Sequence, residues 1–244
     1  MTPRLGDLFR RRSKGRDARP ADAAELTRAT DEAGAPRWIV VVPIKSAARG
    51  KSRLDVDGVD RAALARAIAL DTLAAASACA AVAQVVVVSD DPTLARESAL
   101  IPALRYVPEG GALGLDAAIA AGLEAVDPHG RMPRAALLGD LPALRPGDLA
   151  DALEAAASVD RAVVADAEGT GTTLVTARAG VTWISAFGED SFARHGLLGC
   201  EALDVAEDST LRRDVDTAAH LEAAATLGLG PRTAAVLGAL RSSS

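Results

Sequence analysis

The chain has 244 residues, 49% of them hydrophobic and only 2% aromatic, with a formal net charge of −6. That length buries a full core as one α/β domain, and with so few aromatics the core has to be built from Ala, Val and Leu. The acidic balance excludes a broad nucleic-acid-binding face, and no apolar run approaches the roughly 18 residues of a membrane span, so neither nucleic acid nor membrane is an expected partner.

Residues 1–36 crowd Arg10-Arg11-Arg12, Lys14, Arg16 and Arg19 among Gly and Pro, which reads as a basic, disordered arm ahead of a domain at 37–244. A nucleic-acid or membrane tether is the sharper reading of such a charge run, weakened by Phe9 being its lone aromatic. Basic residues without an apolar signal core, and two cysteines (Cys79, Cys200) outside any Cys-x-x-Cys pair, point to a reducing cytoplasm.

Trp38 to Pro43 predicts the first strand, apolar throughout because helices cover both faces. The loop after it carries Lys45, Arg49, Lys51 and Arg53. Its Gly50-Lys51-Ser52 resembles the end of a phosphate loop, but the glycine needed five positions earlier is Lys45, so that motif is rejected. A cationic loop able to hold a triphosphate survives.

A helix is expected from Asp60 to Cys79, a strand at Val85 to Val88, a helix at Thr93 to Ala99, a strand at Arg105 to Val107 and a helix at Ala117 to Val126. Alternating β and α segments imply a mostly parallel sheet flanked by helices. Ala135 to Leu138 reads as a buried strand, after which Gly139 bends the backbone and Asp140 stands at the carboxyl end, where open α/β sheets bind ligands. A helix from Pro146 to Ala157, strands at Arg161 to Ala165 and Thr173 to Thr176, a helix at Ser191 to Leu198, a late strand at Glu201 to Val205 and helices at Thr217 to Leu227 and Arg232 to Leu240 complete the chain.

Asp214 and Asp216, spaced by two, point to one side of an extended segment. With Asp140 they would make a hard oxygen site suited to Mg²⁺; singly, Asp140 also suits a turn before Pro142, and Asp216 or Thr217 a helix cap. Gly169-Thr170-Gly171-Thr172 is either a tight polar turn or a nest of N–H groups for an anion. Ser191 opens a helix, which suits either an anion or simple capping. His195 reads as a surface, packed or catalytic residue, and His129 and His220 receive no function. Cations after the first strand and recurring carboxylates suit metal-assisted nucleotidyl transfer.

These stretches together resemble the guanylyltransferases of coenzyme F(420) biosynthesis, which act on 2-phospho-L-lactate or, in the actinobacterial branch, phosphoenolpyruvate. The resemblance runs from about Arg37 to Thr233 and rests on Lys45 through Lys51-Ser52-Arg53-Leu54, Gly139-Asp140-Leu141-Pro142, Ala165-Asp166 with Gly169-Thr170-Gly171-Thr172, Phe187-Gly188 with Ser191 and Ala193-Arg194-His195, and Leu211 through Thr217. It implies a GT-A-like nucleotidyltransferase fold, with Asp140, Asp214 and Asp216 on Mg²⁺ and Thr172, Gly188 and Ser191 on phosphoenolpyruvate. Lys45, Lys51 and Arg53 would face the phosphates of GTP as nucleotide-binding and catalytic residues. Where the family usually has Gly-Leu-Asn, this chain has Gly114-Leu115-Asp116, placing a carboxylate at a nucleotide-contacting position. Nothing in the sequence signals an oligomeric state.

Overall fold

The computed structural model describes residues 37–45 and 54–241. The expected basic arm, Lys51 and Arg53 lie outside the described residues. In chain order the elements are β1 (Trp38–Pro43), α1 (Arg61–Ala78), β2 (Val82–Ser89), α2 (Pro92–Ser98), β3 (Leu104–Pro108), α3 (Leu115–Val126), β4 (Arg134–Leu137) and α4 (Pro146–Ala156). There follow β5 (Arg161–Ala165), β6 (Thr172–Ala177), α5 (Ser191–Leu197), β7 (Glu201–Ala202), a 3-10 turn (Thr210–Arg212), α6 (Ala218–Leu227) and α7 (Pro231–Arg241). No described helix is long and apolar enough to cross a membrane.

The strands form one sheet in the order β3-β2-β1-β4-β6-β5-β7. Pairings from β3 to β4 are parallel, as the β-α alternation predicts. β6 breaks the rule by running antiparallel to both β4 and β5. The cause is the short Asp166–Gly171 connection: a parallel neighbour needs a crossover of about a dozen residues or more, so β5 and β6 can only form a hairpin. The late strand is shorter than expected, with only Glu201 and Ala202 pairing with β5.

Strand periodicity divides the core. Trp38, Val40 and Val42 face one side with Val85, Val87, Leu137, Leu73 and Leu153. Ile39, Val41, Val86 and Val88 face the other, against Ala118, Ile119 and Leu123 of α3. Gly122 lets α3 sit close on this face: a Cβ there would lie 2.7 Å from Val88 Cγ2 and 2.9 Å from Val41 Cγ1. Small residues on the helices thus do the packing that aromatics do elsewhere.

A third cluster joins Leu64 and Ile68 of α1 to Val215, Leu221 and Ala224. It is closed by Asp71, only 5% exposed, whose carboxylate accepts the N–H groups of Arg232 (3.2 Å) and Thr233 (2.7 Å) at the start of α7. An acidic group among the first N–H groups of a helix satisfies donors that have no partner within the helix.

Replacing Gly122 by Ala should destabilise the fold by about 1–3 kcal/mol, because the clash with two buried valines outweighs the roughly 1 kcal/mol that Ala gains in helix propensity. Urea unfolding of the two proteins measures it, and a stabilised variant would show that α3 is not tightly seated.

Candidate active site

β1 is hydrogen-bonded to β2 on one side and β4 on the other, and β2 and β3 extend away from β4. The order therefore reverses between β1 and β4, and their carboxyl ends open onto a crevice that helices cannot fill. A cavity of about 420 Å³ lies there, lined from β1 by Ile44 and Lys45 and from β4 by Leu138, Gly139 and Asp140. The backbone bends at Gly139 as expected, without a positive φ, and the glycine has a spatial role as well. A Cβ at Gly139 would stand 2.7 Å from Ile44 Cγ1 and 3.3 Å from Val42 Cγ1, so its absence lets the ends of β1 and β4 approach.

Asp140, Asp214 and Asp216 all line this cavity. The Val215 N–H donates to the Asp140 carbonyl at 3.0 Å, tying the two acidic segments together. Val215 is fully buried while the flanking aspartates are half-buried, as the two-residue spacing predicts for extended backbone. Thr217, not Asp216, caps α6, accepting from the His220 N–H at 3.2 Å. His220 Nδ1 in turn accepts the Asp216 N–H at 3.4 Å, a reciprocal arrangement akin to a capping box.

The tightest acidic group among the described residues differs from the expected trio: it is Asp166, Glu168 and Asp214, whose carboxylate oxygens come within 4.8 Å of one another. Asp140 and Asp216 line the same cavity beside it. Hard carboxylate oxygens converging in this way fit a divalent cation such as Mg²⁺ or Mn²⁺. The alternation Asp166-x-Glu168, matching Asp214-x-Asp216, was the available signal for this second acidic segment.

The Gly169–Thr172 turn is no anion nest. Asp166 Oδ1 accepts the Thr170 N–H at 3.0 Å and Oδ2 accepts the Gly171 N–H at 2.7 Å, so the turn is filled by its own carboxylate. Gly171 has to lack a Cβ, which would fall 2.2 Å from Asp166 Oδ2.

Thr172, Gly188 and Ser191 also line the cavity. Gly188 has φ +125°, a conformation that an L side chain would strain. α5 has only seven residues, and its Phe192 N–H donates to the Thr170 carbonyl at 3.1 Å, so the Ser191 wall is docked on the glycine turn. Asp116 is not among the residues lining the cavity. One of its carboxylate oxygens accepts the Phe187 N–H at 3.2 Å, positioning the segment that carries Gly188.

His195 is fully buried behind this wall. Its Nε2 accepts the Ala186 N–H at 2.8 Å, its Nδ1 lies 3.1 Å from Thr172 Oγ1, and its ring packs edge-on to Phe187 at 5.1 Å. Burial pushes its pKa down, opposed by its backbone contact at Ser191 and the charge of Asp116 and reinforced by Arg194. Neither its burial nor its partners were visible in a sequence offering only the residue type.

The reversed strand order, the cavity at that point and its acidic and hydroxyl-bearing walls together define a nucleotidyltransferase of the GT-A-like α/β kind. Solved structures share the fold: 4-diphosphocytidyl-2C-methyl-D-erythritol synthase from Anaerococcus prevotii (TM-score 0.53, 14% identity, 78% of this chain and 97% of that one) and the CMP:2-keto-3-deoxy-manno-octonic acid synthetase complexed with CTP (TM-score 0.50, 17%, 79% and 98%). The sequence profile described as "Guanylyl transferase CofC like" matches residues 38–216, and the chain belongs to that family. Among its relatives are proteins named phosphoenolpyruvate guanylyltransferase from Thermomonospora curvata (49% identical, 82% of this chain and 88% of the relative) and Streptomyces scabiei (50%, 82% and 95%).

A folded-state pKa below the unfolded value of about 6.5 means that the unfolded chain takes up the His195 proton first. The stability contributed by neutral His195 is therefore complete above about pH 6.5 and is lost as pH falls through the folded-state value. Comparing wild type with His195→Gln in urea at pH 7.5 and at lower pH, the wild-type advantage should shrink on acidification; a gap that widens would reverse the assignment.

Proposed function

We propose that the chain is a phosphoenolpyruvate guanylyltransferase, converting GTP and phosphoenolpyruvate to enolpyruvoyl-2-diphospho-5'-guanosine and pyrophosphate in coenzyme F(420) biosynthesis. The observation that carries this reading is the convergence of Asp140, Asp166, Asp214 and Asp216 on one cavity that Thr172, Gly188 and Ser191 also line. Relatives about half identical over most of the chain bear the same activity in their names.

A phosphate oxygen of phosphoenolpyruvate attacks the α-phosphorus of GTP. The new O–P bond forms as the bond to the β-phosphate oxygen breaks, and pyrophosphate leaves with the electron pair. The attacking monoester is largely dianionic at neutral pH, with its second pKa near about 6, so no general base is required. His195 is accordingly not needed for proton abstraction, and its position behind the wall suits a supporting role.

Two anions cannot be brought together against a wall of carboxylates without positive charge. A bound Mg²⁺ would screen that repulsion and stabilise charge on the transferring phosphoryl group. The carboxylates of Asp140, Asp214 and Asp216, with Asp166 and Glu168 beside them, are the side chains proposed to hold it. Lys45 lines the cavity at the end of β1, where it can meet the departing phosphates; Lys51 and Arg53 are proposed to act with it. Thr172 and Ser191 supply hydroxyls, and Gly188 a backbone close to the ligand, for the small acid. Asp116 is proposed to influence nucleotide binding through the Phe187 segment it holds.

Pyrophosphate release should require GTP, a divalent cation and phosphoenolpyruvate. Greater kcat/KM with 2-phospho-L-lactate would reassign the acceptor, and GTP binding without release of pyrophosphate would overturn the enzymatic reading. Asp214→Asn and Asp216→Asn should each lower kcat by about a hundredfold or more with little change in the urea midpoint. Near-normal turnover of either would remove that carboxylate from the metal site.

A further inference from the structure

Two hydroxyl-bearing residues, Thr172 and Ser191, line the part of the cavity assigned to the small acid. A hydroxyl can donate or accept, and used alone it discriminates poorly between a carboxylate and a carboxamide. The direction of the Thr172 hydroxyl is decided behind the cavity wall.

His195 Nε2 lies 2.8 Å from the backbone nitrogen of Ala186, which can only donate. Nε2 therefore presents its lone pair. In a neutral imidazole with the lone pair on Nε2, the hydrogen is on Nδ1. Nδ1 faces Thr172 Oγ1 at 3.1 Å, so the ring donates and the threonine oxygen accepts. The hydroxyl hydrogen then cannot point back at the ring and is left to donate elsewhere, on a residue that itself lines the cavity.

An imidazolium would set an Nε2–H against the Ala186 N–H, donor against donor, in a site with no water exposure. The groups facing the ring are Thr172 from β6, the Phe187 edge, Asp116 from α3, and Ser191 and Arg194 from its own helix. Of the two charged groups, Asp116 favours the cation and Arg194 opposes it, and burial dominates both.

We infer that His195 is a positioning residue that locks the Thr172 hydroxyl as a donor into the cavity, so that this corner selects an acceptor, the carboxylate of the substrate acid, over a group that must donate. The inference rests on the proposed reaction for its substrate, but the direction of the hydrogen bond stands on the chain alone. Through this arrangement a residue that never touches substrate sets the selectivity of one that does.

The direct test is the nitrogen-15 spectrum of the ring in the full-length protein at neutral pH. Nδ1 should resonate as a protonated nitrogen and Nε2 as one bearing a lone pair; the reverse pattern would overturn the inference even if no activity were ever found. Steady-state kinetics supply the second test. Thr172→Val and His195→Leu should each raise KM for phosphoenolpyruvate about ten- to hundredfold, as expected for a lost hydrogen bond to a charged group, with KM for GTP little changed. The double variant should be no worse than Thr172→Val, since the histidine acts through the hydroxyl.

His195→Asn, which can retain a donor toward Thr172, should recover part of the loss. Thr172→Ser keeps a hydroxyl in place and covers the case in which His195→Leu fails to fold; its KM for phosphoenolpyruvate should rise far less than that of Thr172→Val, and it should still discriminate against the carboxamide analogue of the acid. Additive losses, an unaltered KM in Thr172→Val, or equal use of acid and carboxamide would sink the proposal. Absence of turnover by the wild-type enzyme with either acid would instead count against the proposed reaction, leaving the ring spectrum as the arbiter of the hydrogen bond.

Discussion

One backbone hydrogen bond, from the Val215 N–H to the Asp140 carbonyl, joins two acidic segments that are far apart in the chain. It places Val215 in the apolar cluster under α6 and α7, so Asp214 and Asp216 have to emerge on the cavity side. The same segment is held from the other side, because the Leu141 N–H donates to the buried Thr72 hydroxyl at 3.0 Å and the Gly230 N–H to the Pro142 carbonyl at 2.7 Å. The carboxylates are thus carried on rigid supports, as the proposed metal-assisted transfer would require of its ligands.

Such clustering is costly in the absence of cations. Carboxylate oxygens 4.8 Å apart repel by between about 1 kcal/mol in water and about 3.5 kcal/mol at an effective dielectric of about 20. The architecture offsets this by anchoring: Asp166 receives two backbone N–H groups, and Arg212 binds the Asp166 carbonyl at 3.0 Å. Repulsion that the fold has already absorbed is then available to favour cation binding.

Much of this was legible in the sequence because it follows from short-range periodicity. Trp38–Pro43 and Val85–Val88 are apolar runs, and Gly139-Asp140 follows another, so the sequence alone points to the carboxyl ends of these strands. The two-residue spacing of Asp214 and Asp216 gave their common direction for the same reason. What escaped depends on contacts across loops. Asp166 fills its own turn, which decides for the tight polar turn over the anion nest that the sequence left equally open. Gly139 was read as a bend, which it is, but that the side chain of Ile44 just past the neighbouring strand forbids a Cβ there was not legible. The orientation of β6 was set by a connection too short for a crossover, information carried by loop length and not by the strand's own residues.

His195 shows the same division between local and tertiary information at the level of chemistry. Its neighbours in sequence announce a short helix and nothing more. Its tautomer is determined by Ala186, nine residues upstream, and expressed on Thr172, twenty-three residues upstream on a strand that runs against its partners. The antiparallel turn of β6 brings Thr172 to the cavity directly after the Asp166 bend, so one short hairpin delivers both an acidic group and a hydroxyl-bearing residue to its lining. A parallel crossover in its place would have separated these two groups. The irregular strand is therefore what lets a small, aromatic-poor domain seat charge and polarity side by side in a single crevice.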